Sequence, residues 1–580
     1  MKSLISLISF LFLISVVTPG IVRGFTETKA YVLITQNDIA KLNVDKIQDV
    51  LNMVPGVNAG NTFISIRGIY KVRVVLDGKI INDPTSSHGG VKWESVSLQA
   101  VEEIKVYKNS GGAVFGSDAS GGVIVITTRK KNKTSGFAEA HAGNFNTFHS
   151  YLSCQTQVNK LSLSAATGLD TTDGFRSNSK KKKTLIQGDA GFIHDEVTRF
   201  SVFANKISEN RGSPGLYAYP TPEARYSYDL FTGHFIAEFL GFTNRLSYTD
   251  AEKKNTNPAK NLDKVLCIEK IRDELSRQVL LDFWGNRGDL TLGSGFEKAS
   301  AASTGFSTRD ELNGWGFTSL SSQLDTMPVQ LSLGLRFENF SEFGGYFSPE
   351  FTAGIQKDDW SARISLSRTH NIPSFYQRYY QSSSMQPNPD LSPEQADNFG
   401  LSMSWKLSSK ATLDVSPFYN MITDRISYIR EGPTGSYVNL GKVTYKGVDI
   451  SCDTRLSKDF KLKTTYTYLE AKDVNTGLFL TSKSKHRALA SLVYNPASPF
   501  SLRLSIKYAS KFFSNKENTK EGDGYTIGNI RMEYQRKFFS MGDPVTFFVE
   551  VKNITDESYL YADGYLAPPR TWVTGIRIKF

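Results

Sequence analysis

The segment Val329–Asn339 reads VQLSLGLRFEN, and its alternation decides the fold of this chain. Hydrophobic side chains occupy every second position from Val329 to Phe337, and Gln, Ser, Gly, Arg and Glu occupy the positions between and after them. Because successive side chains of a strand point to opposite faces, the segment predicts a β-strand with one apolar face and one wet face. The same pattern returns in ARISLSR from Ala362, LRLSIKY from Leu502 and VTFFVEV from Val545.

The composition of the whole chain agrees with an all-β protein. Its 580 residues include 38 Phe, 26 Tyr and 46 Gly but only 8 Met, a balance that favours strands and turns over helices. The formal net charge is +11, and the longest uninterrupted basic run, Lys180–Lys183, is typical of a solvated loop. No nucleic-acid partner is predicted.

The first residues have the features of a secretory signal peptide. A basic start at Lys2 precedes an apolar run from Leu4 to Val17, and small residues follow up to Gly24. We therefore predict that residues 1–24 are a signal peptide and that the protein is exported. The run is too short for a comfortable helical span, and no later segment has about 18 consecutive apolar residues, which excludes a helical membrane protein.

Residues 134–580 are predicted to form a transmembrane β-barrel. A soluble β-sandwich also alternates, but the export signal, the many strands and the Arg, Glu, Lys and Ser side chains on the second face favour a barrel. In lipid every backbone polar group must be paired, and strands achieve this only by closing on themselves. At about 20 residues per strand and connection, the region allows about 22 antiparallel strands, a size at which the lumen is plugged.

Residues 25–133 follow a different pattern, which predicts a compact α+β domain. In VDKIQDVLNMVPGV, apolar residues recur at helical spacing from Ile47 to Val54, and Pro55-Gly56 ends the helix. Short β-rich runs follow, namely FISIRGI, VRVVLDG, VEEIKVYK and GVIVITT.

The glycine-rich stretch Gly111–Thr127, GGAVFGSDASGGVIVIT, could be a nucleotide loop. No Gly-Lys-Ser/Thr follows it, so tight turns and close backbone packing explain its glycines better. The chain also lacks a Gly-x-Ser-x-Gly elbow, a His-Glu-x-x-His motif and a paired-cysteine site. We predict neither an enzyme nor a resident cofactor or metal.

Several ordered motifs resemble the TonB-dependent outer-membrane receptor/transporter family. They are ITQNDI from Ile34, IQDVLNMVPGV from Ile47, ISIRG from Ile64, VRVVLDG from Val72, the segment Val101–Arg129, IPSFYQRYYQSSSMQPNPDLSPE from Ile372, and the C-terminal 30 residues from Val551. The last strand, TWVTGIRIKF, resembles the family's barrel-assembly signal, carried by Trp572, Ile576, Ile578 and Phe580.

The resemblance implies a bacterial outer-membrane transporter, with the α+β domain as a plug inside a 22-stranded barrel. Such a protein binds a scarce metal chelate and imports it with energy from the TonB complex, which pairs with an N-terminal TonB box by β-augmentation. The segment that best fits the box is Glu27, Thr28, Lys29, Ala30, Tyr31 and Val32, although it overlaps the first plug strand. The expected context is a monomer in outer-membrane lipid, inserted by the barrel assembly machinery.

Two sets of site residues follow from the resemblance. Plug–barrel contacts are expected at Arg67, Gly68, Asp77, Gly78, Gly121 and Gly122. Ligand-binding candidates are Asn58, Asn61, Asn82, Asp83, His88 and Trp93 in plug loops, and Arg378, Tyr379 and Tyr380 in a barrel loop.

The ligand is left open between cobalamin and a ferric siderophore. Length and compact plug loops resemble the cobalamin branch, whereas Arg and aromatic residues in FYQRYYQ suit an anionic siderophore. Haem is a minor alternative, resting on His88. A passive porin-like channel or a surface-binding protein is the alternative of a different class.

Overall fold

The computed structural model describes residues 31–580, except 43, 45, 88, 94–95, 129–133, 284–285, 325–327, 432–433, 498, 539–543 and 563. The predicted signal peptide and the box residues Glu27, Thr28, Lys29 and Ala30 lie outside the described residues, as does His88. Among the described residues, no helix has the length and apolar character needed to cross a membrane.

The N-terminal domain is an α+β plug built on one small sheet. Its elements are β1 (Tyr31–Thr35), α1 (Gln36–Ala40), α2 (Ile47–Leu51), β2 (Val57–Ala59), β3 (Ile64–Ile66), β4 (Val72–Leu76), β5 (Lys79–Ile80), β6 (Val101–Tyr107), α3 (Gly112–Phe115) and β7 (Gly122–Thr128). The sheet order is β1-β6-β7-β4-β5, in which only β4 and β7 run parallel. A 3-10 turn, Leu98–Ala100, precedes β6.

A dry core holds the plug together. The helical repeat predicted from the sequence puts Val50 and Leu51 of α2 against Ile64, Ile104 and Ile124 of the strands, and all five side chains are fully buried. Complete burial of such side chains contributes roughly 1.5–3 kcal/mol each. The plug is therefore a folded unit with its own core.

The rest of the chain forms a closed antiparallel barrel of 22 strands. The strands are β8 (Ser135–Gly143), β9 (Thr147–Val158), β10 (Leu161–Thr172), β11 (Lys181–Ile193), β12 (Arg199–Gly212), β13 (Arg225–Phe239), β14 (Phe242–Asn257), β15 (Leu262–Phe283), β16 (Asn286–Ser303), β17 (Phe306–Leu324), β18 (Val329–Phe340), β19 (Gly344–Gln356), β20 (Trp360–Asn371), β21 (Glu394–Ser408), β22 (Ala411–Thr423), β25 (Lys442–Arg455), β26 (Phe460–Asp473), β27 (His486–Tyr494), β28 (Phe500–Ala509), β31 (Tyr525–Arg536), β32 (Val545–Lys552) and β35 (Thr571–Lys579).

The connections at one end of the barrel are long and carry structure of their own. They contain the helix α4 (Phe375–Tyr379), the 3-10 turn Pro258–Lys260 and the hairpins β23 (Ile426–Glu431) with β24 (Thr434–Asn439), β29 (Phe512–Phe513) with β30 (Glu521–Gly522), and β33 (Leu560–Ala562) with β34 (Tyr565–Leu566). In outer-membrane barrels long loops are extracellular and short turns periplasmic. The plug loops that meet these connections therefore face the outside.

The deciding segment, β18, shows why the alternation arises. Phe337 is 53% exposed on the outer surface, while Arg336 and Glu338 are 1% and 2% exposed and paired inside the lumen. A lipid-facing apolar stripe and an ion-paired lumen stripe are both satisfied by a closed strand array. The predicted fold class is confirmed.

The last strand closes the barrel. β35 pairs with β8 in the register Ile576↔Ala140 and Ile578↔Ala138, and the backbone of Phe580 exchanges hydrogen bonds with Gly136. Trp572 and Phe580 are exposed on the outer surface, and Arg577 on the opposite face is buried in the lumen. The strand is thus amphipathic as expected, and its role as an assembly signal stays a prediction.

Candidate functional site

A buried ion network joins the plug to the barrel wall. Arg67, just after β3, places its Nε 2.9 Å from Asp449 Oδ2 on β25, and Lys108 places its Nζ 3.0 Å from the same oxygen. Arg67 also donates to Asn109 Oδ1 at 2.6 Å and lies over the Phe418 ring at 4.1 Å. We call Arg67, Lys108 and Asp449 the plug latch.

Both cations of the plug latch depend on the barrel carboxylate. Burial lowers the pKa of Arg67 and of Lys108, and the charge of Asp449 opposes that shift in each case. A buried charge is costly unless it is paired and hydrogen-bonded. The charge of Asp449 therefore offsets the free-energy cost of burying the two plug cations. If the plug moved away from β25, these cations would lose their counter-charge or become exposed to solvent.

The other expected plug–barrel residues divide into two groups. Gly68 accepts a hydrogen bond from barrel Lys483 Nζ at 2.5 Å, and a Cβ on Gly78 would come within 2.8 Å of Arg245 Nε on β14. Asp77 instead accepts from the backbone and hydroxyl of Thr128, inside the plug. Added Cβ atoms on Gly121 and Gly122 would meet the plug carbonyls of Ile69 and Tyr107, so these two glycines serve packing within the plug.

Several plug–barrel contacts carry no motif that would have revealed them. Glu350 on β19 accepts from the backbone N–H of Gly111 at 2.8 Å, and Asn371 donates to Ser120 Oγ at 2.9 Å. Lys552 on β32 pairs with Asp49 of α2 at 3.1 Å. Their partners are hundreds of residues away, so only the closed barrel brings them together.

A basic cavity lies between the plug and strands β26 to β28, beneath the connections 474–485 and 510–524. Four cations line it, Arg67, Lys483, Arg487 and Lys507, together with Tyr70, Tyr525 and Asn58, and none of its lining residues is Asp or Glu. The enclosed part measures about 90 Å³. Since drug-sized ligands need roughly 300 Å³ or more, a larger ligand would occupy the extracellular mouth above it.

The cations at the top of this cavity meet neutral partners. Lys483 lies 4.0 Å from the Tyr70 ring, and Arg487 Nη2 donates to Asn58 Oδ1 at 2.8 Å. Burial, followed by repulsion from Arg425 and Arg487, lowers the pKa of Lys483 to about 7. An anion arriving here would find positive charge that the surrounding protein leaves uncompensated.

The predicted ligand residues of the plug lie in different surroundings. Asn58 lines the basic cavity, and Asn61 is exposed. Asn82 instead bonds the backbone of Val72 and Val74, Asp83 is paired with Lys92 at 3.5 Å, and Trp93 is buried in the plug core. The structure thus brings Asn58 into the cavity and places Asn82, Asp83 and Trp93 in supporting positions.

The predicted barrel residues form a separate cluster in α4 and just after it. Arg378 is 1% exposed and donates to Glu311 Oε2 at 2.6 Å, with the Tyr379 ring 4.9 Å away. Tyr380 stacks on Tyr376 at 4.7 Å, and Lys264 Nζ lies 3.8 Å from both rings. These contacts build the loop. No sequence motif marks Lys483, Arg487 and Lys507, because they are scattered basic residues in an evenly basic chain.

Comparison with known proteins agrees with this architecture. The vitamin B12 transporter BtuB of Photobacterium profundum is 22% identical and aligns with 94% of this chain and 92% of its own length. The siderophore receptor PirA from Acinetobacter baumannii has a TM-score of 0.80 at 16% identity, over 96% of this chain and 100% of that chain. A mutant ferric enterobactin receptor PfeA from Pseudomonas aeruginosa, in complex with enterobactin, gives the same TM-score, identity and coverage. These two likenesses show the fold.

Family models cover nearly the whole chain. The TonB-dependent receptor plug domain matches residues 25–123, and the TonB-dependent receptor-like β-barrel matches residues 116–554. The second match alone spans more than half of the sequence, and it includes the barrel strands from β8 to β32. The chain therefore belongs to the TonB-dependent receptor family, a family of outer-membrane receptors.

Proposed function

We propose that this protein binds an anionic metal chelate, of the ferric siderophore class, at its extracellular face and imports it with TonB-transmitted energy. The observation that carries the proposal is the basic cavity. Arg67 in its lining is paired with Asp449, but Lys483, Arg487 and Lys507 also line it, and none of the lining residues is Asp or Glu. Arg and Lys in such a setting recognise carboxylate or catecholate oxygens through charge-assisted hydrogen bonds. Two of the solved structures with this fold are of proteins named as siderophore receptors.

Cobalamin is the second candidate. It is favoured by the vitamin B12 transporters among the relatives, which align over 92% or more of their own length. A corrinoid offers amide groups and a large apolar face, so it would use Asn58 and the tyrosines rather than four cations. Charge dependence of binding therefore separates the two candidates.

The plug segment 56–70 would couple ligand binding to movement of the plug. Gly68 and Asn58 contact the cavity cations Lys483 and Arg487, and Arg67 of the same segment belongs to the plug latch. A ligand that binds Lys483 and Arg487 would compete with the hydrogen bonds that these side chains donate to Gly68 and Asn58 of the plug. The ion pair of Arg67 with Asp449, the hydrogen bond from Gly56 N to Thr467 Oγ1 and the packing of Ile69 against barrel side chains would still hold this segment to the barrel.

TonB would act at the other end of the plug. β1 is the edge strand of the plug sheet, and Tyr31 and Val32 of the predicted box pair with Tyr107 and Val106 of β6. These two residues can join a TonB strand only after leaving β6, so pulling on the N-terminus would peel β1 from the sheet one residue pair at a time. We expect a monomer inserted by the barrel assembly machinery.

Equilibrium binding to the purified protein tests the proposal. A ferric tris-catecholate, a neutral ferric trihydroxamate and cyanocobalamin are titrated in the same detergent at two salt concentrations. We expect the tris-catecholate to bind best and to weaken about tenfold in Lys483→Ala and Arg487→Ala. Lys458→Ala, which changes an exposed lysine in the short turn between β25 and β26 at the opposite end of the barrel, should bind like the wild type.

Three results would overturn this assignment. Binding of cyanocobalamin alone would replace the siderophore with cobalamin. Equal binding of neutral and anionic chelates would remove the role of charge. Swelling of liposomes in small sugars, together with no chelate binding, would favour the passive-channel alternative.

A further inference from the structure

We propose that Glu139, His141 and His149 form a binding site for a divalent transition-metal ion, such as Zn²⁺, on the lumen face of the first barrel hairpin. One ligand atom from each residue can be chosen so that all three lie within 4.8 Å of one another. The site is distant in sequence from every cavity residue and does not depend on the transported ligand.

The strand register creates the cluster. Glu139 and His141 are two residues apart on β8 and share a face, and His149 on β9 is directly opposite His141. Asp170 on β10 is directly opposite His149. Directly opposed side chains on neighbouring strands have Cβ atoms about 5 Å apart. The two imidazoles stack here, with ring centroids 4.7 Å apart and an interplanar angle of 20°, so one ring must turn about its side-chain bonds before both nitrogens face the same ion.

The hydrogen bonds leave ligand atoms available. His149 Nδ1 is 2.7 Å from Asp170 Oδ1, and because the carboxylate accepts, the ring keeps its proton on Nδ1 and presents a bare Nε2. His141 Nδ1 is buried without a hydrogen-bond partner, 3.5 Å from Glu139 Oε1. Arg577 Nε binds the other carboxylate oxygen of Glu139 at 3.1 Å, which fixes the carboxylate and leaves Oε1 facing the histidine.

This donor set suits a borderline metal. Two imidazoles and one carboxylate are ligands that Zn²⁺ accepts in tetrahedral sites, and a carboxylate on the far nitrogen of a ligating histidine is the usual orienting partner. Bond lengths of about 2.0–2.2 Å need ligand atoms about 3.4 Å apart, so ligand atoms that are now up to 4.8 Å apart would approach by up to about 1.4 Å. Imidazole ligands disfavour Ca²⁺ and Mg²⁺, which prefer oxygen.

Arg577 is the cation in contact with this site. It pairs with Glu139 and is shared with Glu533 at 3.8 Å, so its charge is divided between two carboxylates. Its positive charge opposes a second cation and would limit the affinity of the site.

Metal titration of the full-length protein in detergent tests the proposal. Zn²⁺ is titrated in competition with a chromophoric chelator, and Co²⁺ is used as a spectroscopic probe of nitrogen and oxygen ligation. We expect one Zn²⁺ per chain, a loss of at least 100-fold in affinity in His141→Ala and His149→Ala, and a loss of 10-fold or more in Asp170→Asn.

His194→Ala is the matched control, because His194 lies in an exposed turn away from the cluster. This variant should bind Zn²⁺ with the same affinity as the wild type. Heat-modifiable migration on gels shows that each variant still forms a barrel. Absence of stoichiometric binding, or equal binding by the His141→Ala/His149→Ala double variant, would overturn the site.

Discussion

Two groups of cations at the same plug–barrel boundary have opposite electrostatic surroundings. In the plug latch, Arg67 and Lys108 share the carboxylate of Asp449, and their side chains are almost completely buried. In the basic cavity, Lys483 and Arg487 contact a carbonyl, an amide oxygen and a tyrosine ring. The charges of the first group are neutralised by Asp449 and hold the plug to the barrel. The charges of the second group have only neutral partners among the described residues, so they can attract an anionic ligand from outside.

Removing the latch carboxylate should have the largest effect on how firmly the plug is held. Asp449→Asn keeps the shape of the side chain but leaves two buried cations without a counter-charge. Loss of one partner from a buried ion pair typically costs about 3 kcal/mol or more. We expect the plug of the variant to unfold or leave the barrel at a markedly lower urea concentration, measured by protease access to the plug.

Asp453→Asn is the control for that experiment. Asp453 lies four residues further along β25 and pairs with Lys463 at 3.0 Å, but both side chains are about a quarter exposed or more. Exposed pairs contribute about 1 kcal/mol or less, so this variant should retain its plug. Equal sensitivity of the two variants would mean that the latch does not hold the plug.

Reversing one cavity charge should weaken ligand binding more than it weakens the attachment of the plug. Arg487→Glu puts a carboxylate among the remaining cations and opposes an anionic chelate directly. We expect the dissociation constant for a ferric tris-catecholate to rise about 30-fold, which is about 2 kcal/mol, with plug stability changed far less. A variant that binds as tightly as the wild type would show that the ligand avoids this cavity.

Much of the fold could be predicted from the sequence because a membrane barrel repeats one local rule. The alternation in β18 already distinguishes the lipid face of Phe337 from the lumen face of Arg336 and Glu338. Helical spacing around Val50 and Leu51 likewise revealed the plug core. These patterns depend only on residues that are neighbours in the sequence, so they can be recognised in a single sequence without an alignment.

The site was less predictable, since its contacts join residues far apart in the sequence. Arg67 was found through its motif, but its partner Asp449 lies 382 residues away. Asn82 and Asp83 looked like free polar loop residues, and the structure shows them bonding β4 and Lys92. A polar loop residue that binds ligand and one that supports the loop have the same local sequence, and only burial separates them.

The pH dependence of chelate binding should also separate the two groups. Burial lowers the pKa of Lys483 to about 7, so this lysine is charged below pH 7 and loses its charge as the pH rises through 7. Affinity for an anionic chelate should therefore fall about fivefold, or about 1 kcal/mol, between pH 6 and pH 8. Lys483→Arg should bind with no such step, and a step that survives in this variant would place the titrating group elsewhere.

The smallest effect is expected at Asp49, a latch-like contact that is only partly buried. Burial acts to raise the pKa of Asp49, but the charges of Lys552 and Arg503 outweigh it and lower the pKa to about 2. A lowered carboxylate pKa stabilises the folded plug above about pH 4, and this stabilisation is lost as the pH falls through about 2. Because the Lys552 side chain is 36% exposed, the pair should contribute about 1 kcal/mol or less. Asp49→Asn should lower plug stability by that amount at pH 7 and match the wild type near pH 2, as measured by urea unfolding. A loss as large as that of Asp449→Asn would show that burial does not rank these contacts.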